Sequence, residues 1–160
     1  MIPTSNLGAM LLQTARRLPD RPGLIWRDRV WNWSEIAARA CSAAAGLRAR
    51  GIGAGDRVLI HSRNNNAIFE GVWACWLIGA VWVPTNFRLS PPEAAYLAGS
   101  SRCKAQIFDV AFPEHRAACR ADTPAGVVES AIGAGAVGSG EDVLAVGTAE
   151  RETMRGGVVG

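Results

Sequence analysis

Lysine is almost absent from this chain of 160 residues: Lys104 is the only one, and the other 16 basic residues are arginines. They stand singly or in pairs among aspartates and glutamates, and the net charge is only +3. No basic stripe forms, so nucleic acid is not an expected partner. Met1 to Asn6 holds no basic residue and leads into no long apolar run, so nothing reads as a secretory signal and a cytoplasmic location is expected. The longest uncharged stretch, Gly71 to Phe87, lies at the ~17-residue lower limit of a membrane span. Gly79 and Pro84 interrupt it, so it reads as a buried helix followed by a buried strand, with no integral membrane segment.

Close cysteine pairs are also missing. Cys41, Cys75, Cys103 and Cys119 are 34, 28 and 16 residues apart, which suits neither a zinc site nor dithiol chemistry. They read as reduced, small, buried apolar side chains, and no metal site is expected. What is present is a core: 49% of the residues are hydrophobic and 19% charged, a balance that excludes disorder for most of the chain. All eleven aromatic residues fall between Trp26 and Phe112, whereas Ala125 to Gly160 holds nine glycines and no aromatic. Residues 1–124 are therefore expected to build the core, and 125–160 to form a glycine-rich, weakly structured tail.

Within the first part, Asn6 is a cap for a helix with apolar positions Leu7, Met10, Leu11, Ala15 and Leu18, stopped by Pro19. Leu24 to Trp26 and Val30 to Trp33 suit a hairpin with Trp31 and Trp33 on one face. Ser34 then caps a second helix, with Ile36, Ala40, Ala43, Ala44 and Leu47 on its buried stripe, Glu35, Arg39, Arg48 and Arg50 off it, and Gly51 at its end. Arg57 to His61 reads as a strand. Asn64 to Asn66 cap a third helix that runs to Gly79, and Ala80 to Val83 is a second strand, which closes a βαβ unit with parallel strands. Ser90, Pro91 and Glu93 form a capping box for a helix ending at Gly99. Lys104 to Phe108 is the third parallel strand, Pro113 to Ala121 a helix, and Gly126 to Ile132 a fourth strand. The class is α/β: an N-terminal hairpin and helices followed by parallel βαβαβ units.

Few residues invite chemistry. Gly133, Gly135 and Gly138 have the spacing of a dinucleotide fingerprint, so a nucleotide-binding module using the Gly133 to Gly140 loop is one reading. The fingerprint needs a following strand with an acid about 20 residues on, and Gly147, Gly156 and Gly157 weaken any such unit; a plain glycine-rich loop is the simpler reading. The turn Ser62 to Asn66, where an open α/β sheet would place a ligand, contains no glycine, and no Lys-Ser/Thr pair of a phosphate loop is present. His61 at the end of its strand and His115 between Glu114 and Arg116 are read as structural or solvated, as are the charge clusters Asp56-Arg57 and Glu114 to Arg116. Trp73, Cys75 and Trp76 are read as core.

The order of residues says more. Pro19-Asp-Arg-Pro22, Leu24-Ile-Trp26 and Trp31-Asn-Trp-Ser-Glu-Ile36 are followed by Gly55-Asp-Arg-Val-Leu-Ile60, then Asn65-Asn66, Glu70 and Trp73. Gly79-Ala-Val-Trp-Val-Pro84, Asn86-Phe-Arg-Leu89 and Glu93 to Leu97 complete the series. This resembles the N-terminal region of the AMP-forming acyl-CoA synthetases, in the adenylate-forming superfamily, and the likeness fades after Arg120. The resemblance implies part of the N-terminal domain of a ligase that joins a carboxylic acid to coenzyme A with ATP and magnesium, through an acyl-adenylate. It carries over no catalytic, cofactor-binding or metal-binding residue, because the family's phosphate loop, adenine motifs and C-terminal lysine have no match here. The chain is then expected to be inactive alone, as a truncated or frameshifted product. A non-catalytic protein pairing with a full-length ligase is the alternative. The aromatic stripe Phe69, Trp73 and Trp76 implies self-association if nothing covers it.

Overall fold

The computed structural model describes residues 6–123 and 126–132. Two layers of helix enclose one parallel sheet, with a small hairpin to one side. The chain runs α1 (Leu7–Arg17), β1 (Pro22–Trp26), β2 (Arg29–Asn32), α2 (Trp33–Ala49), β3 (Arg57–His61), α3 (Asn66–Ile78), β4 (Val81–Pro84), α4 (Pro91–Ser101), β5 (Ala105–Asp109), α5 (Pro113–Asp122) and β6 (Val128–Ile132). Strands β1 and β2 pair antiparallel, with Ile25 opposite Val30, and the other four form a sheet of order β4-β3-β5-β6 with every pair parallel.

Alternation along the strands divides the core. Val58, Ile60, Ala105 and Ile107 face α2 and α3, where Ala43, Leu47, Ala74, Cys75 and Ile78 meet them. Leu59 and Phe108 face α4 and α5, against Ala94, Ala95, Ala98 and Cys119. A third cluster joins α1, α2 and the hairpin through Leu11, Trp31, Ile36 and Ala40, and Phe69, Trp73 and Leu77 of α3 pack onto it. Much of the aromatic stripe is thus covered by α1 and the hairpin. The approach is close enough that a Cβ on Gly8 would stand 2.7 Å from the backbone of Leu77. Gly79 takes the left-handed conformation that ends α3 and turns the chain into β4.

Several local expectations are corrected. The cap of α2 is Asn32, not Ser34: Asn32 Oδ1 accepts from the Glu35 N–H, Glu35 returns to the Asn32 N–H, and Trp33 is already helical rather than a strand partner of Trp31. Helix α4 passes Gly99 and ends at Ser101, with Arg102 in the left-handed region at φ 51°. At its start, the Ser90 N–H and hydroxyl both donate to Glu93 Oε2, each at 2.7 Å. Cys75, Cys103 and Cys119 are buried, but Cys41 is exposed, at the flank of the Ala40, Ala43 and Ala44 stripe of α2; all four thiols are free. Strand β6 joins the sheet as expected for that segment. The Gly133 to Gly140 loop and the rest of the predicted tail lie outside the described residues.

Candidate functional site

The strand order sets where a site can form. From β3 the chain leaves by α3 on one face, whereas the connection from β4 to β5 runs through α4 on the other, so β3 and β5 lie side by side at a switch in winding direction. In open α/β sheets the crevice beyond the carboxyl ends of such a pair is where ligands bind. Here the pair ends in His61 and Asp109, with His61 beside Phe108 in register.

His61 is fully buried. Its ring stacks on His115 of α5, with centroids 4.6 Å apart, and meets the edge of Phe112 at 4.7 Å. Thr85, just past β4, donates its one hydroxyl proton to the Ile60 carbonyl at 2.9 Å. Its oxygen therefore accepts from His61 Nδ1 at 2.9 Å, which assigns the ring proton to Nδ1. His61 Nε2 is left a buried lone pair with no partner among the described residues. Burial pushes the pKa of this imidazole down to about 4; the neighbouring His115 adds to the fall and Asp109 opposes it. The ring is neutral near pH 7.

Ser62 does not meet a histidine. Its hydroxyl lies 2.9 Å from the Arg63 carbonyl and 3.0 Å from Asp109 Oδ2, and it accepts from Asn65 Nδ2 at 3.1 Å. Asn65 also caps α3 through the Ile68 N–H. These bonds shape the turn and build no nucleophile and base. His115 is half-buried, not solvated, and its Nε2 donates to the Leu89 carbonyl at 2.7 Å. An open hollow of about 420 Å³ lies beside the cluster, lined by Phe108, Asp109, Phe112, Pro113, Arg116 and Arg120. Its positive charge is countered, since Arg116 and Arg120 both reach Glu129 of β6, whose carboxyl they hold below the usual range with the Arg120 bond the larger cause.

Elsewhere, Asp56 is not simply solvated: it accepts from Lys104 Nζ at 2.8 Å and from the Gly53 N–H, and these bonds lower its pKa. Among the described residues no three His, Cys, Asp or Glu side chains gather as a metal site, and no helix is long and apolar enough to cross a membrane. Pattern reading placed Arg39 off the buried stripe, yet Arg39 Nε donates to Glu70 Oε1 at 2.6 Å with the side chains 9% and 1% exposed. The available signal was Glu70 itself, the one charged residue in an otherwise apolar helix.

The family of AMP-binding enzymes matches residues 11–154. That match passes well beyond Arg120, where the likeness was expected to fade, and its bounds include the Gly133 to Gly140 segment. Feruloyl-CoA synthase of Amycolatopsis sp. is 34% identical over 110 residues, 69% of this chain and 22% of that protein. The long-chain-fatty-acid–CoA ligase of Thermus thermophilus is 39% identical over 77 residues, 48% of this chain and 14% of its own length. The N-terminal domain of FACL13 from Mycobacterium tuberculosis superposes with a TM-score of 0.74 at 31% identity, over 82% of this chain and 34% of that one. This chain thus spans about a fifth of the length of the curated relatives it matches. With the family match and the superposed N-terminal domain in agreement, the chain belongs to the AMP-binding enzyme family, in a segment of the N-terminal domain shared by its acyl-CoA ligases.

Proposed function

We propose that the polypeptide to which this segment belongs is an AMP-forming acyl-CoA ligase that joins a carboxylic acid to coenzyme A at the expense of ATP, and that it works in the cytoplasm. The observation that carries this is the family match from residue 11 to residue 154, joined by shorter matches to relatives that are CoA ligases of fatty, hydroxyaliphatic and aromatic acids.

The described residues supply the scaffold of that enzyme rather than its chemistry. No glycine-rich turn opens a helix at the end of β3 or β5, and the side chains of Ser62, Asn65 and Asp109 there are bonded to one another. They do not fit a nucleoside triphosphate or its magnesium, so no step through either is assigned to them. A chimera tests the reading: residues 6–132 replace the equivalent segment of the Thermus thermophilus ligase, and acyl-CoA formation is followed. Activity within about tenfold of the parent, a loss of about 1.4 kcal/mol in transition-state stabilisation, is the expected result. A folded chimera that forms no acyl-adenylate would remove the assignment.

A further inference from the structure

We propose that the His61–His115 stack is a proton-sensitive latch that closes the carboxyl-end crevice of the sheet and opens when His61 takes up a proton. Three separate connections meet at these two rings. His61 belongs to the end of β3. Its Nδ1–H holds Thr85 at the exit of β4, and Thr85 in turn bonds back to the Ile60 carbonyl. His115 belongs to α5, lies face to face with His61, and holds the β4–α4 connection through the Leu89 carbonyl. Phe112, at the start of α5, closes the edge of the His61 ring. The hollow lined by Phe108, Phe112 and Arg116 lies just outside.

The arrangement holds only while His61 is neutral. Both imidazole nitrogens of a cation are donors, and Nε2 faces no acceptor among the described residues. The charged groups around it do not compensate. Asp109 from β5 favours the cation, His115 from α5 opposes it, Arg63 beyond β3 has its guanidinium over the Phe112 ring, and Thr85 at the β4 exit is neutral. A proton on His61 is therefore most easily accommodated by moving the ring into water, which releases Thr85, Phe112 and His115 together. This follows from the contacts of the chain itself and stands whether or not the ligase assignment does.

The chain has two histidines, so both titrations can be read directly by NMR in the 160-residue protein. Hydrogen exchange is then measured at the Leu89, Phe112 and Arg116 amides, which bond to the Asn86, Asp109 and Phe112 carbonyls, with the Leu59 amide in the sheet as reference. Between pH 7 and pH 4 the three amides should lose about a hundredfold in protection relative to Leu59, the factor set by a histidine that titrates at about 4 when latched and 6.5 when open. His61→Asn keeps an N–H toward Thr85 and cannot be protonated, and its protection should change less than twofold over the same range. His115→Gln keeps a donor for Leu89 but removes the stack, and His61 should then titrate at higher pH. An ordinary His61 titration near 6.5 in the parent chain, or the same acid loss in His61→Asn, would overturn the latch.

Discussion

Arg39 and Glu70 form an ion pair between α2 and α3, 2.6 Å from Nε to Oε1, in which neither side chain retains more than 9% of its surface. Asn66 Nδ2 adds a longer bond to the same oxygen at 3.3 Å, and Glu70 Oε2 has no partner among the described residues. A buried pair of this kind costs most when only one half is removed. Arg39→Met alone, or Glu70→Gln alone, should lower stability, by about 3 to 5 kcal/mol for the arginine and less for the isosteric amide. The double variant Arg39→Met with Glu70→Leu should lose much less than the sum of Arg39→Met and Glu70→Leu made separately. Additive losses in urea unfolding would show the pair to be uncoupled.

Gly8 seats α1 on α3 without a side chain. A Cβ there would stand 2.7 Å from the Leu77 N and Cα, which are backbone atoms that cannot turn aside. Gly8→Ala should therefore destabilise the chain by about 1 to 3 kcal/mol despite the better helix propensity of alanine. Trp fluorescence should shift to the red as α1 lifts from Trp73; a gain in thermal midpoint would refute the close contact.

Acid should destabilise the protein in two windows. His61 has a folded pKa below its unfolded value, so the unfolded chain binds more protons between about 4 and 6.5. Its contribution is complete above 6.5 and is lost as pH falls toward 4, to a total of about 3 kcal/mol. Glu129 is also depressed, through Arg120 and Arg116, so its contribution is present above the ordinary value of 4.5 and disappears below it. Urea midpoints taken from pH 7.5 to 3.5 should fall in both windows. His61→Asn should flatten only the upper one and Glu129→Gln only the lower one. A flat profile from 6.5 to 4.5 in the parent chain would contradict the first assignment.

With a carboxylic acid, ATP and magnesium, the chain alone should release no pyrophosphate above background. Transfer of the adenylyl group requires donors placed where charge develops on phosphate, and the described residues place none there. Acyl-adenylate found by mass spectrometry would reverse this view.

Self-association remains an expectation, now moved from α3 to α1. Phe69, Trp73 and Leu77 are packed, but Leu7 and Met10 on α1 are 48% and 49% exposed, and Leu18 follows at 44%. Light scattering should detect species above 16.9 kDa, and Leu7→Glu with Met10→Glu should restore the monomer. A monodisperse parent chain that binds no apolar dye would count against it.

The elements were legible in the sequence because their signals are local. Asn6, Asn65, Ser90 and Gly79 act within one turn of where they stand, and the apolar runs at Val58 and Ile107 match strand length and periodicity. Family membership was legible for a related reason: the Gly55 to Leu97 order keeps turn residues and apolar positions at fixed spacing, and such spacing survives in sequence. Sequence alone did not determine the strand order, since a right-handed βαβ unit leaves open on which side of β3 the next strand will lie. That choice brought β5 beside β3, and with it His115 and Phe112 of α5 onto the ring of His61, 54 and 51 residues earlier in the chain. Arg39 was misplaced for the same reason. Helical spacing tells which positions share a face, but whether a cation on that face meets water or the carboxylate of Glu70 depends on how α2 and α3 are brought together by the sheet that both cover.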